Sequence, residues 1–137
     1  MRKGWLFIMC GFVGLLALTV LASEKAPSDY ANAMQAIAGA QAAAAKATAA
    51  EDYDAIEKHA ATMVDAFLVI EKYWSARSPE VLPMVRSAAK AASDLRVSSQ
   101  QRSLEGVAYS AKELSAACAN CHNAHRETMP DGTFQIK

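Results

Sequence analysis

The sequence predicts an all-α protein built as an antiparallel four-helix bundle, and three observations predict it. Alanine occurs thirty times in 137 residues, and alanine is the best helix former, with no side-chain entropy to lose. Six Gly and four Pro leave little material for a loop-rich or all-β design. Four stretches carry core-type residues at alternating spacings of three and four, the period of a packed helix seam. No stretch of comparable length alternates with period two, so no strand is expected.

The bundle is expected only after residue 22. Arg2 and Lys3 give a positive start, an apolar run follows from Trp5 to Ala22, and the run closes on the small residues of Val20-Leu21-Ala22. This is the three-part layout of a secretory signal peptide over residues 1–22. The alternative is an uncleaved anchor, since a run of about 18 residues is borderline for crossing a bilayer. Cleavage after Ala22 leaves a single domain, residues 23–137, with 12 basic and 14 acidic side chains. Cys10 departs with the leader, so Cys118 and Cys121 remain, in an oxidising, periplasmic compartment. No membrane attachment is expected after cleavage. The near-neutral charge excludes the positive field of a nucleic-acid binder, and 53% hydrophobic content excludes an acidic disordered chain.

The four helices follow in order. The first, Ser28 to Ala49, places Tyr30, Met34, Ile37, Gln41 and Ala44 on one stripe. The second, Asp52 to Ala76, is the most regular, with Tyr53, Ile56, Ala60, Met63, Phe67, Ile70 and Trp74. Between them there is neither Gly nor Pro, and Asp52 is the single capping residue on offer. The third, Pro79 to Leu95, uses Val81, Val85, Ala88, Ala92 and Leu95. Ser78-Pro79-Glu80 reads as an N-cap with proline at the first helical position, although Pro83 moves the start toward Leu82. The fourth, Ser99 to Ala124, uses Leu104, Val107, Ala111, Leu114, Cys118 and Cys121, with Ser98 and Gln101 as its capping box. Pro130-Asp131-Gly132 is a turn signal beyond it. Seams this rich in Ala bury less apolar area than Leu-lined ones, so the core is modest and has room for something further.

The chemistry is concentrated in Cys118-Ala119-Asn120-Cys121-His122, the C-x-x-C-H pattern of covalent haem c attachment. On a helix, residues three apart share a face, so both thiols reach the two vinyl groups on one edge of a porphyrin. His122 then ligates the iron from the proximal side. Both cysteines continue the core stripe, so a single haem c would lie against the bundle interior and supply core volume.

Three rivals are weighed against it. A thioredoxin-type redox pair wants a βαβ context and a helix N-terminus, whereas this pair sits at a helix C-terminus. A zinc site on Cys118, Cys121, His122 and His125 lacks the two separated ligand pairs usual for structural zinc. A plain structural disulfide is the remaining alternative.

The exported four-helix chain with C-x-x-C-H near its end resembles the cytochrome c′ family. The run C-A-N-C-H-N-A-H-R (118–126) is similar to that family's C-x-x-C-H-x-x-aromatic-Arg ending, with His125 where an aromatic residue is usual. Tyr53-Asp54-Ala55 resembles the start of the family's second helix. The resemblance covers most of residues 23–137, but only the haem motif is specific. The chain departs from the pattern in a short connection between helices two and three and in the tail Glu127 to Lys137. The resemblance implies a four-helix bundle with one covalent haem, often a homodimer. It is either five-coordinate and open to small gases such as NO and CO, or closed by a Met from the first helix and used in electron transport.

That implication makes Met34 the expected distal iron ligand, the one sulfur or imidazole donor in the first segment. Its plain alternative is a core filler. Met63, on the second stripe, is the next choice. His59 falls at a stripe edge. His125 lies one turn beyond His122, on the same side of the haem, as a haem-edge contact. Arg126 is a propionate contact through charge-assisted hydrogen bonds, or a solvated helix end. Met84 and Met129 lie near predicted helix ends and read as packing or surface residues. Trp74 reads as core, and Tyr73 closes the same stripe.

Three functions follow as expectations: a His122/Met34 electron carrier, a five-coordinate gas binder with His122 alone, and a colourless exported bundle with a disulfide. No catalytic triad or acid–base pair is visible, so an enzyme is not expected. Lys112 and Arg126 are balanced by Glu113 and Glu127, so the charge of a redox partner protein is not written near the motif.

Overall fold

Four helices account for most of the computed structural model, which describes residues 23–137. They are α1 (Ser28–Ala49), α2 (Tyr53–Arg77), α3 (Leu82–Gln100) and α4 (Leu104–His125). Two three-residue strands follow, β1 (Arg126–Thr128) and β2 (Phe134–Ile136). The leader expected over residues 1–22 lies outside the described residues. Among the described residues, no helix is long and apolar enough to cross a membrane.

The α1–α2 corner turns without Gly or Pro. Glu51 takes φ 52°, a left-handed conformation that costs a non-glycine residue about 1 kcal/mol. Local hydrogen bonds offset it: the Glu51 N–H donates to the Thr48 carbonyl and the Asp52 N–H to the Ala47 carbonyl. The Asp52 carboxylate then accepts from the Ala55 N–H at 3.0 Å and opens α2.

At the next corner the expected helix start at Pro79 is a single 3-10 turn, Pro79–Val81, and the α-helix proper begins at Leu82. Pro83 therefore falls in the first turn, where a missing N–H costs nothing.

The third corner corrects the sequence reading. α3 runs five residues past Leu95, so Ser98 and Gln101 sit at its end and form no capping box. Ser99 continues the inward face at 1% exposure, and its hydroxyl donates to the Arg96 carbonyl. Arg102 at φ 51° ends the turn. The cap of α4 is Ser103, whose hydroxyl accepts from the Gly106 N–H at 3.1 Å. Leu104 is correspondingly exposed rather than buried.

The helices pack in chain order: α1 on α2, α2 on α3 and α3 on α4, while α1 and α4 scarcely touch. The chain is thus an all-α bundle with one open seam. Ile56, Ala60, Met63, Phe67, Ile70 and Trp74 of α2 form the centre of the core. On the outer helices the buried stripe includes alanines and a serine that the spacing did not single out: Ala33, Ala40 and Ala47 in α1, Ser110 and Ala117 in α4. Met34, Gln41 and Cys118, expected on the stripes, are only half-buried because they border the open seam.

The tail contradicts the expectation of no strand. β1 and β2 pair antiparallel, Arg126 with Ile136 and Thr128 with Phe134. Five residues, 129–133, connect them; the Gly132 N–H donates to the Met129 carbonyl and Gly132 takes φ 82°, a tight turn closed by a left-handed residue. Strands of three residues are too short to register as an alternating pattern. Each end of the hairpin is also tied elsewhere. Lys137 donates its backbone N–H to the His125 carbonyl and its ammonium to the Asn123 carbonyl, satisfying the free end of α4.

Candidate functional site

The open seam between α1 and α4 leads into a cavity of about 420 Å³, within the roughly 300–1,000 Å³ usual for cofactor pockets. α4 contributes Cys118, Cys121 and His122 from its last two turns. α1 faces them with Tyr30, Met34, Ile37 and Gln41. Phe67 and Ile70 of α2 and Met84, Val85 and Ala88 of α3 line it further. The tail hairpin borders one end with Phe134 and Ile136. Most of this lining is apolar. The one side-chain hydrogen bond linking α1 to α4, from Gln41 Nε2 to Ser115 Oγ at 3.1 Å, spans the seam.

Both cysteines lie within regular helix, three residues apart, and so share the face that opens on the cavity. Burial pushes both thiols above their ordinary pKa, with the neighbouring Cys121 adding to the rise at Cys118. A thioredoxin-type nucleophile requires the opposite shift, so the pair is poorly built for disulfide exchange. His122 is half-buried. Desolvation, with Arg126 adding repulsion, lowers its pKa, so at neutral pH its imidazole is uncharged and keeps a lone pair for a metal. Among the described residues, no group of three or more His, Cys, Asp or Glu side chains is placed to hold a bare metal ion. A closed zinc site on the motif and His125 is therefore not assembled.

The structure brings the expected residues together selectively. Cys118, Cys121, His122, His125, Arg126 and Met34 all border the same cavity. Met63 does not. It is fully buried in the core packing of α2 and does not line the cavity. His59 is half-buried on α2 and stands outside the cavity wall. Arg126 places its guanidinium 4.3 Å over the Phe134 ring, which holds it at the cavity end beside His122. His125 packs its ring 5.2 Å from Trp74.

Two contributions were missed from sequence. Met84 borders the cavity and carries a second thioether there. Its position one residue before Val85 and three after Val81 places it at the edge of the α3 stripe, which was the available signal. Phe134 and Ile136 belong to the tail, whose fold against the bundle had no sequence signature.

No family model, curated protein or solved structure matches the chain.

Proposed function

We propose that the chain is an exported monohaem c-type cytochrome that transfers single electrons, with the haem held in the seam between α1 and α4. One observation carries this reading: the C-x-x-C-H turn of α4 opens on an apolar cavity of cofactor size, faced by a thioether donor. The resemblance to cytochrome c′ at residues 118–126 points the same way.

The residues present fit the group. Cys118 and Cys121 would hold it through two thioethers, and the neutral imidazole of His122 would ligate the iron from α4. Bound there, the group supplies a reversible one-electron couple. The chain does the rest. The apolar lining from Ile37, Phe67 and Ile70 solvates charge poorly, which disfavours the state of higher charge. Met34 offers a neutral sulfur from the facing helix, a donor that favours reduced iron and raises the potential. Arg126, placed over Phe134 at the cavity end, would offer a guanidinium to a propionate, and His125, which also lines the cavity, would be available to contact the group. No side chain is assigned a catalytic proton transfer.

The gas-binding alternative differs only in whether Met34 would join His122 in holding the iron. Optical spectra of protein matured with haem, taken oxidised, reduced and reduced under CO, test both. A low-spin spectrum indifferent to CO is expected. A high-spin spectrum that shifts with CO would transfer the protein to gas binding, and the lack of a Soret band would leave the structural disulfide.

A further inference from the structure

The cavity wall is uneven in charge. Among the described residues that line it there is no Asp or Glu, and Arg126 is the one permanent cation. Arg126 enters no ion pair among the described residues. Its guanidinium lies over the Phe134 ring, so the N–H groups at its edge remain open to an acceptor.

Tyr30 stands at the same end. It lies in the first turn of α1, and Trp74 packs against both its ring and that of His125, the residue before Arg126. Tyr30 is 8% exposed and borders the cavity, whereas Trp74 does not border it. The Tyr30 oxygen accepts the Trp74 indole N–H at 3.3 Å. A phenol oxygen that receives a donor keeps its own proton turned away from that donor. Among the described residues nothing accepts the Tyr30 proton. Buried donors are nearly always paired, because an unpaired one forfeits its hydration. Packing alone would be served as well by Phe.

We infer that Tyr30 binds a carboxylate of the cavity's occupant through its hydroxyl, and that with Arg126 it turns the anionic edge of that occupant toward the hairpin end. The inference rests on the haem reading above, in which the carboxylates are the propionates. Sulfur accepts hydrogen bonds weakly, so Met34 and Cys121 are no substitute acceptors. Further along α1, Gln41 is a neutral amide already donating to Ser115, and it offers a carboxylate less. A phenol and a guanidinium on one anion make charge-assisted hydrogen bonds and offset part of its negative charge. Negative charge near iron favours the oxidised state, so the two donors raise the potential.

The test uses the haem-loaded protein, with the Soret band recorded first. Resonance Raman follows the propionate bending band, which responds to hydrogen bonding at the carboxylate, and redox titration gives the midpoint potential. Tyr30→Phe should shift the band and lower the potential, by up to the 59 mV that a tenfold change in a one-electron equilibrium represents. That variant also strips the Trp74 N–H of its acceptor. Trp74→Phe and the Tyr30→Phe, Trp74→Phe double variant are therefore compared as well. They differ only in the Tyr30 hydroxyl, and the double variant should show the same band shift and the lower potential. A normal Soret band with the propionate band unchanged in both comparisons overturns the role of Tyr30 alone. So does a band that moves in Gln41→Leu and not in Tyr30→Phe, which would place the carboxylates further along the seam. A protein with no Soret band overturns the haem reading and this inference with it.

Discussion

Glu24 and Ile136 exchange both backbone hydrogen bonds, each 2.8 Å long. The first residues before α1 are thereby joined to the last strand of the chain. The Ile136 side chain, 4% exposed, packs into the core at the cavity end. The tail is therefore a structural wall of the site. Ile136→Ala should cost about 2–4 kcal/mol by lost transfer energy and cavity formation, read as a lower urea midpoint. No change in midpoint would show that the hairpin contributes nothing to the fold.

Ser103 and Ser98 make opposite predictions. Ser103 caps α4 through the Gly106 N–H, so Ser103→Ala should destabilise by about 1 kcal/mol. Ser98 lies in the last turn of α3 and caps nothing, so Ser98→Ala should stay within about 0.5 kcal/mol. Chemical denaturation of the two variants side by side decides between Ser103 and Ser98 as the start of the last helix.

Tyr30 gives a pH dependence with a definite sign. Burial pushes its phenol up to about 12, partly opposed by the indole N–H of Trp74. The folded state thus holds its proton after the unfolded state, near 10, has lost it. The contribution is fully present below pH 10 and is lost as the pH rises from 10 toward 12. Two pH units correspond to about 2–3 kcal/mol. Tyr73 shifts in the same direction, by partial burial and its bond to Glu24, and adds to the slope. Denaturation midpoints across pH 9–12 should fall in the native sequence and fall less in Tyr30→Phe.

Met34 and Met63 separate ligation from packing. Met63 is fully buried away from the cavity, so Met63→Ala should cost about 2–5 kcal/mol and leave the spectrum of the loaded protein as it was. Met34→Ala should do the reverse: a small stability loss, and a reduced iron that now takes up CO. Should Met34→Ala remain low-spin, Met84 on α3, the other thioether at the cavity, is the next variant to make.

Much of this arrangement was legible in the chain itself. The period of three and four across Ile56, Ala60, Met63, Phe67, Ile70 and Trp74 specifies a helix and its inward face, because side-chain direction on a helix depends on spacing alone. Asp52 was the one local group able to cap α2, and it does so. Cys118, Cys121 and His122 share a helical face by the same arithmetic, so their clustering needed no tertiary information, although the cavity they meet is made by the other helices and the tail.

The rest depended on which elements meet. Ser98 and Ser103 are equally good caps in isolation, and the choice fell to the one that lets Ser99 and Leu95 stay buried against neighbouring helices. Met34, Met63 and Met84 are chemically alike, and only the packing of α1, α2 and α3 decides which thioethers face the open seam. The pairing of Glu24 with Ile136, and with it the closed end of the cavity, joins residues more than a hundred positions apart. Contacts at that separation follow from how the bundle closes, and no local pattern encodes them.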